Sequence, residues 1–176
     1  RAGATPQPVA MRLTDAERSA VEEVSRPAAA IGARPQDPSI PWVESVDAPA
    51  VSVPLPDLAA SSWKAPTTSG STGRPKVVRA SSPAILDPTR PVAEFLPLRA
   101  TQLVSGPMTH SATFTYAFRG LLTGHRLVIL PRFEERAWLD AVEEHAVTWA
   151  LVVPTMMHRL LRLPEAERHP DRLRSI

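Results

Sequence analysis

The sequence predicts an α/β fold: a parallel sheet flanked by helices in the order βαβαβα, preceded by a hairpin around a Gly/Ser/Thr-rich turn. Three observations predict it. Gln102–Ser105, Arg126–Leu130 and Val147–Val153 are short continuous apolar runs, as strands buried on both faces require. Segments with helical periodicity separate those runs, so the strands run parallel through right-handed crossovers. The composition is that of a globular chain: 176 residues, which as a prior is about one domain, with 43% apolar and 22% charged residues.

The elements follow in order. Thr14-Asp15-Ala16-Glu17 has the spacing of a capping box, with a hydroxyl at the N-cap and a carboxylate three residues later. A helix from Asp15 to about Val24 follows, with Ala20, Val21 and Val24 on one face, and Pro27 stops it. Ala28–Ile31 reads as a short strand. From Pro35 to Pro56 the prolines recur too often for a regular element, which leaves loops and short edge pieces. Trp63 to Arg79 reads as strand, polar turn, strand. Ser111–Leu122 is helical, and Gly124 sits where a helix C-terminal glycine belongs. Glu134–His145 is helical, with Trp138, Ala141, Val142 and His145 on one face and Glu134 and Glu135 in the first turn, where the helix dipole favours anions. Pro154 ends the run Val147–Val153. Thr155–Leu163 is a helix stopped by Pro164, with Met156, Met157, Leu160 and Leu161 as its core face.

Composition also excludes several classes. There are no cysteines, which removes a disulfide scaffold, an iron–sulfur site and a thiol nucleophile. The net charge is +2, and its basic residues, eighteen arginines and two lysines, nowhere form a long run. That is not the electrostatic footprint of a nucleic-acid-binding protein. No apolar run is long enough to span a bilayer, and the start carries no secretory signal pattern, so the expectation is a cytoplasmic protein without a membrane span. The chain starts at Arg1 without a methionine and stops at Ile176 where a new element begins, so a piece of a longer protein is expected.

The stretch from Thr67 to Lys76 is the most informative. It combines hydroxyls, two glycines and one amine in a single turn. The glycines let the backbone take positive φ and turn N–H groups inward into an anion-binding nest. Hydroxyls add donors, and Lys76 adds a point charge suited to phosphate oxygens. The pattern is not G-x-x-x-x-G-K-S/T, because Val77 follows Lys76 and the glycines are closer together. On composition alone, a polyphosphate cradle and a flexible Gly/Ser linker are both open readings, although a linker needs no Pro-Lys at its end. Other candidates are sparser. His110, before a helix, is either a pocket residue or a cap. His125, His145, His158 and His169 show no metal spacing, and no metal ligands are assigned. Glu143 and Glu144 are adjacent, so their side chains diverge on an exposed face.

Thr68 through Lys76 resembles the signature of the adenylate-forming superfamily, Ser/Thr-Ser/Thr-Gly-Ser/Thr-Ser/Thr-Gly-x-Pro-Lys, with Arg74 at the free position. That superfamily contains acyl- and aryl-CoA synthetases, firefly luciferases and peptide-synthetase adenylation domains. Ser105-Gly106-Pro107-Met108-Thr109-His110-Ser111 resembles its segment of small residues, proline and histidine before a helix beside the acyl pocket. Phe133–Leu163, with Val153-Pro154-Thr155-Met156-Met157 inside it, resembles the helix–strand–helix that follows. The likeness covers roughly Leu13 to Ile176, and the wording is similar to fatty-acyl and bile-acid CoA ligases. Two departures from the common pattern, Val77 after the lysine and Arg79-Ala80-Ser81-Ser82-Pro83 in place of a helix opening with Thr-His, fit that subset better than peptide synthetases.

The resemblance implies part of an AMP-binding N-terminal domain: residues 1–62 form a Pro-rich N-terminal portion with one helix, and residues 63–176 the phosphate-binding loop and α/β portion. It implies ATP-dependent activation of a carboxylic acid, fatty-acyl or bile-acid-like, to an acyl-adenylate and then a CoA thioester. Thr68, Ser69, Gly70, Ser71, Thr72, Gly73 and Lys76 are the expected ATP phosphate-binding residues, and His110 the substrate-pocket residue. ATP, Mg2+ and CoA are the implied cofactors and co-substrates. The family's Tyr-Gly-x-Thr-Glu segment, its ribose-holding Asp and its C-terminal lysine have no counterpart in these residues, so the segment alone is expected to be inactive. The alternative is a non-catalytic α/β unit that retains the loop.

Overall fold

The computed structural model describes residues 3–46, 54, 57–68 and 74–164, and its contacts divide the chain into two units, Arg1–Ile85 and Leu86–Ile176. In the first unit the capping box forms as the sequence predicts. The Thr14 hydroxyl accepts the Glu17 N–H, and the Glu17 carboxylate accepts the Thr14 N–H at 2.8 Å. α1 runs Asp15–Ser25 and buries Val21. Arg26 caps it in the left-handed region, φ 45°, a common way for a helix to end, and Pro27 follows, which cannot continue the helix. The strand expected over Ala28–Ile31 is only β1, Ala30–Ile31, paired parallel with β2, Trp42–Val43. Gly32, at φ +93°, turns the chain out of the strand at once.

The second unit holds the predicted parallel sheet. β3, Thr101–Val104, lies in the middle, with β4, Arg126–Ile129, on one side and β5, Trp149–Ala150, on the other, all parallel. α2, Ser111–Leu122, links β3 to β4, and α3, Glu135–Glu144, links β4 to β5. Gly124, at φ +84°, turns the chain from α2 into β4 as expected. Side chains alternate across the sheet. Leu103 and Ala150 face one core with Trp138, Ala141, Val142, Val147 and Leu160. Gln102 and Trp149, the next register pair, face the opposite side. There Trp149 packs with Leu96, Ala100 and Tyr116.

Three expectations need correction here. The run Val147–Val153 is a strand only at Trp149–Ala150. The Val147 N–H is taken by Val142 O at 3.0 Å as the chain leaves α3, and Val153 is already the N-cap of the next helix. That helix, α4, is Pro154–Leu161, so Pro154 opens it rather than preceding it. The first helical position needs no N–H donor, which is why proline fits there. Leu161, expected in the core with Leu160, is 55% exposed, whereas Leu160 is buried and Met156 and Met157 are half-buried. Among the described residues no helix is long and apolar enough to cross a membrane.

Candidate functional site

The Gly/Ser/Thr-rich turn stands on a stem whose register the structure defines. Thr67 and Val77 form an antiparallel bridge, and the Thr68 N–H donates to Lys76 O at 2.9 Å. Further down, the Val78 N–H donates to Pro66 O at 2.9 Å and the Ala80 N–H to Lys64 O at 3.1 Å. The predicted strand–turn–strand is therefore a hairpin stem, but one antiparallel bridge flanked by separate hydrogen bonds rather than two continuous strands. Pro66 has no N–H to return the bond from Val78 O. Opposite Thr68 the returning bond goes to a side chain: the Lys76 N–H donates to Thr68 Oγ1 at 3.0 Å. The upstream arm is held on its other side by the N-terminal segment, where the Ala65 N–H donates to Pro6 O at 3.0 Å and the Thr5 hydroxyl to Ser62 O at 2.8 Å.

Of the residues expected to bind phosphate, Thr68 and Lys76 are placed directly across the stem from each other at the base of the turn. Ser69, Gly70, Ser71, Thr72 and Gly73 lie outside the described residues. The Thr68 hydroxyl, accepting from the Lys76 N–H, keeps its proton free to donate. Lys76 is exposed and has no ion-pair partner among the described residues. Arg74, the free position of the signature pattern, is in an ion pair: its Nη2 lies 2.5 Å from Glu23 Oε1 on α1. No spacing in the sequence signals this pair, because its members are far apart along the chain.

In the second unit the sheet itself defines a site. The chain leaves β3 for β4 on one side and returns to β5 on the other, so the strand order reverses at β3. Ligands of open α/β sheets bind outside the carboxyl ends of the strands at such a reversal. The residues there are the segment Ser105–His110 after β3 and the segment Leu151–Val153 after β5. Ser105 is buried, and its Oγ lies 4.0 Å from Met156 Sδ in the first turn of α4, joining the two segments. Met108 is half-buried beside them in sequence. Gly106 is crowded, because a Cβ there comes 2.7 Å from Thr113 Oγ1 in α2.

His110 occupies the N-cap of α2. Its backbone carbonyl accepts the Phe114 N–H at 2.9 Å, but its side chain makes no capping bond. The residue is exposed. The capping role open to it in the sequence is thus unfilled by its imidazole, which faces solvent at the sheet's reversal point. Met156, read from the sequence as helix core, belongs to this site as well. That was illegible because the strand order that brings α4 beside Ser105 is a tertiary property. For magnesium, no group of three or more His, Asp or Glu side chains among the described residues is arranged to hold a metal ion. The described residues do not by themselves fit a protein-held magnesium site.

The model of the AMP-binding enzyme family matches residues 1–176, and the chain belongs to that family. Among similar proteins, the nicotinic acid–CoA ligase olcI of Penicillium canescens is 32% identical over 95 residues, which is 53% of this chain and 17% of that protein. The chain thus spans a small part of the relative's length. Among solved structures, the N-terminal domain of FACL13 from Mycobacterium tuberculosis superposes with a TM-score of 0.74 at 21% identity, covering 96% of this chain and 48% of that one. The o-succinylbenzoate CoA synthetase MenE of Bacillus subtilis, solved with ATP and a magnesium ion, gives 0.72 at 19% identity, covering 97% and 38%. At these identities the two structures share the fold with this chain.

Proposed function

We propose that the protein to which these residues belong activates a carboxylic acid with ATP, forming an acyl-adenylate and pyrophosphate, and then passes the acyl group to the thiol of CoA. The acid in this reading is fatty-acyl or bile-acid-like. The half-buried Met108 and Met156 at the sheet's reversal point favour an apolar body, since thioether side chains adapt to varied apolar shapes. His110 is the polar group proposed to line that acid's pocket. Activity is proposed for the whole protein, and the 176-residue segment alone is expected to be inactive.

The observation that carries the reading is the stem register, which sets Thr68 and Lys76 across from each other at the base of the turn. In this reading the backbone N–H groups and hydroxyls from Thr68 to Gly73, with the Lys76 ammonium, hold the β- and γ-phosphates. Negative charge builds on the leaving pyrophosphate as the carboxylate attacks the α-phosphorus, and preplaced donors stabilise that charge without reorganising. Magnesium would enter with the nucleotide and would supply further charge neutralisation.

The test separates the two half-reactions in the intact protein. Charge-assisted phosphate contacts are worth about 1.5–3 kcal/mol, so Lys76→Ala is expected to slow carboxylate-dependent ATP–pyrophosphate exchange about ten- to two-hundred-fold. Thioester formation from a pre-made acyl-adenylate is expected to change little, because pyrophosphate has left before the thiol attacks. Equal slowing of both steps would assign Lys76 to holding the hairpin together instead. No exchange with any fatty, bile or aromatic acid would remove the proposed activity.

A further inference from the structure

Arg74 sits two residues before Lys76 in an arm whose exposure alternates. Arg74 and Lys76 are exposed, while Pro75 and Val77 are half-buried. Arg74 lies at a bend, and two residues of chain span at most about 7 Å, so its Cα lies within that distance of the Lys76 Cα. Two cations therefore stand close together at the base of the turn, and they differ in one respect. Lys76 has no ion-pair partner among the described residues, whereas the Arg74 guanidinium is held by the Glu23 carboxylate. Glu23 is the α1 carboxylate open to that contact. Its neighbour Glu22 already accepts the N–H groups of Gln36 and Asp37, both at 3.0 Å.

We propose that Glu23 competes with a bound polyphosphate for the Arg74 guanidinium, so that the Glu23–Arg74 pair acts as a brake on the affinity of the loop. The inference rests on the reading of the loop as a polyphosphate site and adds to it an opposing group from a distant helix. A planar guanidinium makes a bidentate contact with phosphate oxygens, so Arg74 gains by transferring to the polyanion. The transfer must first break the pair with Glu23, and it leaves an uncompensated carboxylate near a polyanion. The brake is set by the worth of that pair. Both side chains are largely exposed, which limits the effect to about two- to fivefold in affinity and makes it vanish at high salt.

The experiment is calorimetric titration of the intact protein with inorganic tripolyphosphate, at low and high salt, for the parent, Lys76→Ala, Glu23→Gln, Arg74→Ala and the Glu23→Gln/Arg74→Ala double variant. Glu23→Gln is expected to tighten binding about two- to fivefold at low salt. In the Arg74→Ala background the same change is expected to have no effect, because the contested group is gone. Unchanged or weaker binding by Glu23→Gln overturns the brake. So does equal tightening in both backgrounds, which would make Glu23 a through-space repulsion independent of Arg74. Failure of the loop reading looks different: the parent does not bind tripolyphosphate, or Lys76→Ala binds as well as the parent.

Discussion

Gly120 gives the sharpest test of how this sheet is packed. It lies near the end of α2, where alanine is intrinsically the better helix former by about 0.5–1 kcal/mol. On propensity alone, Gly120→Ala should stabilise the protein. The structure reverses the sign. A Cβ at this position falls 2.3 Å from Gln102 Oε1 and 2.6 Å from His125 Nδ1, distances that real Cβ atoms essentially never show. Neither neighbour has room to withdraw. Gln102 is 1% exposed and lies on the central strand. His125 is 4% exposed and is pinned at Nε2, 2.5 Å from Pro97 O. A carbonyl only accepts, so Nε2 donates to Pro97 O; Nδ1 is then an acceptor, 2.9 Å from Gln102 Oε1, and the pair forms a hydrogen bond with the Gln102 amide turned so that its NH2 group faces Nδ1. Overpacking of this kind costs about 1–3 kcal/mol. Parting Gln102 from His125 adds a further cost of about 1–3 kcal/mol for buried polar groups left unpaired. The expected net loss is about 1–5.5 kcal/mol after the helical gain, read as a lower urea midpoint at unchanged slope. Gln102→Ala in the Gly120→Ala background should recover part of that loss, because it removes the closest clashing atom. A Gly120→Ala protein as stable as the parent would refute the packing described for this face of the sheet.

Two further outcomes follow from other contacts. Trp149→Phe removes the indole N–H that reaches Phe95 O at 2.8 Å and leaves that carbonyl without its donor, so a loss of about 1–3 kcal/mol is expected in urea titration. The carboxyl groups of Glu17, Glu134 and Glu135 are held below the ordinary glutamate range, by Thr14, by the N–H groups of Ala137 and Arg136, and by Arg159 respectively. A depressed folded-state pKa contributes stability that is complete above the unfolded value near 4.5 and is lost as pH falls through the lower folded value. Stability is therefore expected to fall on the acid side of about pH 4.5, and Glu134→Gln with Glu135→Gln should flatten that slope in urea midpoints measured against pH. An unchanged slope would mean that these contacts do not persist in solution.

The elements legible in the sequence are those whose cause is local. The Thr14–Glu17 box, the α2 span Ser111–Leu122 and the stripe of Trp138, Ala141 and Val142 are all periodic or capping signals, and each is found where it was read. The parallel order was legible too, because apolar runs separated by helices leave few other topologies. The strand lengths were not. Val147–Val153 is apolar throughout, yet only Trp149 and Ala150 pair in the sheet, since a neighbouring turn takes the Val147 N–H and α4 takes Val153 as its cap. Hydrophobicity reports burial, and burial does not require a ladder.

The candidate site divides along the same line. Lys76 and Thr68, which we propose to hold phosphate, were legible because a turn built to wrap an anion needs its glycines, hydroxyls and cation close together in sequence. Glu23 and Met156 were not, because each enters through tertiary contact: Glu23 from a helix far upstream, Met156 through the reversal of strand order at β3. Residues that touch a ligand through a loop leave a motif. A residue that pairs with the loop's flank from another element leaves none, since any spacing along the chain can place a carboxylate beside Arg74.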